Sequence, residues 1–129
     1  MSRDYTKYEF VDFQGNKSDN SGKGWGKSEL VLELVKDYVN RNNSKLTFAE
    51  LKIAFPDYLR DIRKVFIDLN EVKDYTRYFA DNNQSIKLLD KTIAVSQGWG
   101  IDNGRNGQDE WEPFLNHCWQ KLGIKTKAI

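Results

Sequence analysis

Two tandem helical-period stretches, a pair of short β-prone runs around a turn and a closing amphipathic stretch together predict an α+β fold. The tandem stretches are separated only by residues 40–45, NRNNSK, which is helix-turn-helix spacing, and the β-prone runs would supply a hairpin wing. The expected architecture is winged-helix-like, with three or more helices packed on a small antiparallel sheet.

Taken in order, residues 6–13, TKYEFVDF, are aromatic and branched enough to read as a strand. Residues 14–27 are Gly, Asn, Ser, Asp and Lys with one indole, a mobile polar loop anchored by Trp25. Ser28 is the expected N-cap of a helix over 29–42, where Val31, Leu34, Val35, Tyr38 and Val39 recur at helical spacing. The densest local signal follows in LTFAELKIAFPDYL, residues 46–59. Thr47 and Glu50 form a capping box, Leu46 and Leu51 take the flanking positions of a hydrophobic staple, and Pro56 stops the helix.

Beyond Pro56, residues 57–63 read as a third short helix and 64–69, KVFIDL, as a strand, while 70–79 reads as a helix or helical turn. Residues 85–89 and 92–97 read as strands joined by an Asp90-Lys91 turn. A loop over 97–108 with four glycines leads to Asp109, the expected cap of a helix over 110–122. On that helix Trp111, Phe114, Leu115, Cys118, Trp119 and Leu122 share one broad apolar face, Gly123 ends it, and Ile124 folds back on Trp119. This divides the chain into a strand and mobile loop (1–28), one α+β domain (29–124) and a frayed tail (125–129).

The chain has 129 residues, one domain's worth, and its 39% hydrophobic content with 13% aromatics argues against disorder. A net charge of +1 means no global field draws it to nucleic acid or acidic lipid, so any such binding needs a local patch. A single cysteine, Cys118, excludes an internal disulfide and is compatible with a reducing compartment. No run is apolar enough to span a bilayer and the first residues carry no signal-peptide core, so a cytoplasmic protein with no membrane partner is expected.

Residues 22–28, GKGWGKS, end like a phosphate-binding loop, but Ser21 stands where the pattern needs glycine, which reduces the match to a basic loop before a helix. Lys23 and Lys27 could there hold a phosphate without catalysis. Pro56-Asp57 followed by Glu71-Val72-Lys73 spells the proline-aspartate and acid-x-lysine pattern of metal-dependent nucleases, in which acids bind magnesium and the lysine activates water. His117 and Cys118 project about 100° apart on a helix, poor geometry for a dyad or a chelate, so no metal and no cofactor is expected. Arg60, Arg63, Lys64, Lys73 and Arg77 cluster after the capped helix, and Lys87 and Lys91 occupy the hairpin. These are the candidate phosphate contacts. Trp25 and Trp99 are the candidate partner-binding indoles if exposed.

The series SELVLELVKDYV, LTFAELKIAFPDYL, RYF, IKLLDKTIAV and QGWGIDN, closed by a helix ending KLG, resembles a small uncharacterised bacterial module attached to restriction-type and other nucleic-acid-directed proteins. The resemblance covers residues 29–123 and implies a DNA- or RNA-directed accessory role. The expectation is thus a non-catalytic nucleic-acid-binding domain. The alternatives are a protein-interaction module using Trp25 and Trp99, and a nuclease using Asp57, Glu71 and Lys73.

Overall fold

The computed structural model describes residues 6–12, 15–18, 21–42, 45–60, 64–99 and 111–129. Among these residues the chain forms three α-helices and two small antiparallel sheets.

Helix α1, Lys27–Arg41, is the most enclosed element because its apolar residues occupy more than one face: Leu30, Val31, Leu32, Leu34, Val35 and Val39 are all buried. Each such side chain contributes about 1.5–3 kcal/mol relative to solvent exposure. Gly26, not Ser28, sits at the N-cap, because the Ser28 hydroxyl is engaged elsewhere. At the other end Arg41 donates to Asp37 at 2.8 Å and pairs with the buried Asp12, joining α1 to the N-terminal strand.

Helix α2, Phe48–Ala54, has the capping box read from its sequence: Thr47 Oγ1 accepts from Glu50 N at 3.2 Å and Glu50 Oε1 accepts from Thr47 N at 3.1 Å. A further N-terminal amide, Phe48 N, donates to Asp90 Oδ1 at 2.9 Å, so a carboxylate from the hairpin also meets the positive end of the helix. Pro56 follows the C-cap Phe55, and of the third helix expected over 57–63 residues Asp57–Leu59 form a 3-10 turn, while residues 61–63 lie outside the described residues.

One sheet contains β1 (Tyr8–Val11), β2 (Lys17–Ser18) and β7 (Lys125–Ala128) in the order β2-β1-β7. The frayed tail is therefore corrected: residues 125–128 pair antiparallel with β1, and Ile129 N donates to Lys7 O at 2.8 Å. Gly123 makes this possible by turning the chain with φ 70° while its amide donates to Trp119 O at 3.1 Å. Residues 8–11 and 125–128 thus belong with the domain and not outside it.

The second sheet contains β3 (Phe66–Asp68), β4 (Tyr78–Phe79), β5 (Ile86–Lys87) and β6 (Thr92–Ser96). Strand β6 is its centre, paired with β3 on one side and with β4 and β5 in succession on the other. The strand expected over 64–69 is present as β3, and of the helix or helical turn expected over 70–79 only a 3-10 turn, Leu69–Glu71, is helical, followed by a second turn and by β4 at the aromatic end. Asp74 explains the difference, because its carboxylate bonds forward to Thr76 and Arg77 and competes with helix formation. The hairpin turn also shifts by one residue. Leu88 N donates to Lys91 O at 2.7 Å, so Leu89 and Asp90 make the turn, leaving Asp90 free to reach α2.

Helix α3, Trp111–Leu122, buries Trp111, Phe114 and Cys118 against the others. Phe114 lies 4.8 Å from the Trp99 ring and 6.3 Å from Phe55, which joins α3, the end of β6 and the end of α2 in one aromatic core. The predicted apolar face is too broad: Trp119 is 57% exposed, with Lys125 Nζ 5.5 Å from its ring. The cap expected at Asp109 lies outside the described residues.

Candidate nucleic-acid interface

The segment between the 3-10 turn and β4 reads VKDYTR, and its order comes from one carboxylate. Asp74 Oδ1 accepts from Thr76 N at 2.9 Å and from Thr76 Oγ1 at 2.5 Å, while Asp74 Oδ2 accepts from Arg77 Nε at 3.0 Å. The backbone closes the same turn, Arg77 N donating to Asp74 O at 3.1 Å. The Thr76 bonds, with Arg77 behind them, hold the Asp74 carboxyl below its ordinary value. At the tip stands Tyr75, 69% exposed, between the exposed Lys73 and Arg77. The turn is seated on the sheet: Gln97 N donates to Arg77 O at 2.7 Å, and Tyr78 pairs with Ser96 immediately afterwards. An aromatic ring flanked by two cations on an ordered support suits a base and its neighbouring phosphates. The Asp-x-Thr-Arg spacing is a readable turn signal, but exposure of Tyr75 at its tip is not visible in the sequence.

The other basic candidates divide. Arg60 is corrected from a surface contact to a core residue, 2% exposed, with Nη1 donating to Gln97 O at 2.6 Å and to Ser96 Oγ at 3.1 Å. Its guanidinium lies 4.3 Å from the Trp99 ring, so its hydrogen-bonding capacity serves the end of β6. Arg63 lies outside the described residues. Lys64 is exposed, with Nζ 3.8 Å from Asp57. Lys87 is exposed on β5, and Lys91 lies 3.5 Å from Asp68 and 4.7 Å from the Phe48 ring. The neighbouring acids make Lys64 and Lys91 weaker attractors of phosphate than their sequence positions suggest.

Neither candidate indole is an open surface. Trp99 is 4% exposed and donates to Ser96 O at 3.1 Å, which corrects its expected partner-binding role: an indole packed on Phe114 and Arg60 has no face left to offer. Trp25 is half-buried, bridges to Tyr8 through its backbone and donates to Ser18 Oγ at 3.1 Å, so it anchors its loop.

The tempting motifs acquire structural duties. Asp57 pairs with Lys52 at 2.6 Å, and Lys52 also donates to Phe66 O at 2.5 Å with the Phe66 ring 4.0 Å away. Burial lowers the Lys52 pKa, opposed by its bond to Asp57; Glu71 also favours the charged form and Lys64 disfavours it. Asp57 and Glu71 thus act on Lys52. Among the described residues no group of three His, Cys, Asp or Glu is placed to share a metal ion. Ser28 Oγ, the hydroxyl of the phosphate-loop-like motif, accepts from Gly98 N at 3.0 Å and Trp99 N at 3.1 Å. His117 Nε2 lies 2.6 Å from Ala54 O, and burial pushes the Cys118 thiol up to about 12, which makes it inert as a nucleophile.

Compared with known proteins, the chain matches no family model, no curated sequence and no solved structure. No helix among the described residues is long and apolar enough to cross a membrane.

Proposed function

We propose that this chain is a non-catalytic module that binds single-stranded nucleic acid, with Tyr75 stacking on a base and Lys73 and Arg77 meeting the adjacent phosphates. The observation that carries the reading is the ordered turn in which Asp74 fixes Thr76 and Arg77 and leaves Tyr75 69% exposed at the tip. Lys64, Lys87 and Lys91 are outer phosphate contacts in this reading, each moderated by nearby acids or at the margin of the surface.

A winged-helix mode, with α1 and α2 as the helix pair and β5–β6 as the wing, would instead put α2 into a duplex groove. The outward residues of α2 include Ala49, Glu50 and the 78% exposed Ile53, which offer no cation to phosphate, and this favours the turn.

The test is fluorescence anisotropy with labelled single-stranded DNA and RNA oligonucleotides between low and physiological salt. The expected result is weak binding whose logarithm falls with log salt at a slope between roughly −1.4, for the two cations of the turn alone, and roughly −3.5, with Lys64, Lys87 and Lys91 also engaged. Tyr75→Ala should weaken it by about 1–3 kcal/mol. Absence of binding even at low ionic strength, or equal binding by wild type and Tyr75→Ala, rejects the reading.

A further inference from the structure

The strand edges of the two sheets are not equally closed. Strands β2, β4 and β5 have two residues each, and β3 gives its outward Phe66 carbonyl to Lys52 Nζ at 2.5 Å. Strand β7 differs: it has four residues and stands at the end of the order β2-β1-β7. Its pairing shows which backbone groups are engaged. Ile129 N donates to Lys7 O at 2.8 Å, while Tyr8, one residue on, exchanges both its backbone bonds with Trp25 on the far side of β1. Ala128, opposite Tyr8, and Thr126, opposite Phe10, therefore turn their N–H and C=O groups away from β1. Among the described residues nothing bonds to these outward groups.

The side chains beside this edge are selective. Strand alternation puts Lys125 and Lys127 on the same face, and both are exposed. Lys125 Nζ lies 5.5 Å from the Trp119 ring. Lys127 stands opposite Glu9, but the Glu9 carboxylate bonds Lys17 Nζ at 2.8 Å. Two cations thus flank the open edge, neither in an ion pair among the described residues. Lysines on an edge repel a strand of like charge, and a second copy of this chain pairing antiparallel through β7 would set lysine against lysine. A strand with acids at alternate positions meets the opposite situation: its carboxylates lie beside Lys125 and Lys127 while its backbone continues the ladder. Nucleic acid suits the lysines but has no alternation of amide donors and carbonyl acceptors to match Thr126 and Ala128.

We infer that β7 is a docking edge for an extended acidic peptide segment of a partner protein, which adds to this sheet as a fourth strand. Its backbone pairs with Thr126 and Ala128, and its acidic side chains, two residues apart, meet Lys125 and Lys127. The inference is independent of nucleic-acid binding by the Tyr75 turn, which is seated on the other sheet.

The experiment is a two-dimensional NMR titration of the full chain, read together with amide exchange, using a capped heptapeptide of alternating glutamate and valine. Binding should be saturable, shift the amides of Thr126, Lys127 and Ala128, and slow exchange of the Thr126 and Ala128 amides at least tenfold. A lysine-valine peptide of the same length should bind at least tenfold more weakly. The acidic peptide methylated at its internal nitrogens, which keeps the charge but lacks the donors, should bind at least fivefold more weakly. Lys125→Glu with Lys127→Glu should reverse the preference between acidic and basic peptides. Both side chains are exposed, so the folded spectrum should be retained; Lys125→Gln with Lys127→Gln, which should bring the two peptides to parity, reads the same point without adding acids. Tyr75→Ala should leave the titration unchanged. Slow exchange at Thr126 and Ala128 in the free chain, full affinity of the methylated peptide, or retention of the acidic preference in both double variants would overturn the inference. So would protection of the same two amides on raising the chain concentration alone, which assigns the edge to a second copy, or tighter binding there by a single-stranded oligonucleotide than by the acidic peptide.

Discussion

Arg60 and Arg77 stand seventeen positions apart and both look, in sequence, like phosphate contacts. Their surroundings give them opposite work. Arg77 is exposed and its Nε bonds an acid three residues away, whereas Arg60 is 2% exposed and donates to the carbonyl of Gln97 and the hydroxyl of Ser96. The same backbone meets both: Gln97 O receives Arg60 and Gln97 N donates to Arg77 O. A cation beside the end of a central strand becomes structural when remote acceptors converge on it, and remains available to a ligand when its partner is local.

The comparison breaks most sharply if Arg60 is removed. Arg60→Ala should destabilise the fold by about 3–5 kcal/mol in urea unfolding, because carbonyl and hydroxyl acceptors lose a charged donor and the Trp99 ring loses its cover. A cost under ~1 kcal/mol would show that Arg60 is not the support described. The Tyr75 variant is the counterpart: Tyr75→Ala should leave the urea midpoint within ~0.5 kcal/mol of wild type while binding weakens as stated above. Coincident loss of stability and binding would erase the distinction between the two regions.

A smaller effect sharpens it through pH. Lys52 has a lowered pKa in the fold, so between that value and the ordinary lysine value of 10.5 the unfolded chain binds more protons than the folded one. The Lys52 contribution to stability therefore rises with pH across that window. In Lys52→Met this rise should flatten, and a variant with the wild-type slope would assign the effect to other groups. At the turn the sign is opposite. Asp74 has a lowered pKa, so its contribution is present above the ordinary carboxyl range and is lost as pH falls through the folded value. The protection factor of the Thr76 amide, its exchange rate relative to an unstructured peptide at the same pH, should fall on acidification, and Asp74→Ala should already show little protection at neutral pH.

What was legible in the sequence was local. The Thr47–Glu50 box, the proline stop, the Gly123 turn and the apolar spacing of α1 depend on neighbours within a few positions, and each is found in the structure. Residues 78–79 and 125–128 form strands only because β6 and β1 lie beside them, and Lys-Thr-Lys-Ala carries no apolar alternation to announce it. The burial of Arg60 was equally hidden, since its acceptors are thirty-six and thirty-seven residues away. For the candidate interface, Lys73 and Arg77 were visible as charges, while the value of Tyr75 depends on a turn fixed by Asp74.

The pairing of Tyr8 with Ala128 has a consequence for how this chain comes into being. During synthesis β1 emerges well before its β7 neighbour, which follows only after the three helices and the other sheet. Closing that separation carries a chain-entropy cost, small per doubling of length but borne before the contacts repay it. The other sheet, with all its strands between residues 66 and 96, has no such wait. The sheet of β3 to β6 can thus assemble from strands made close together, while the sheet of β1, β2 and β7 waits for residues 125–128.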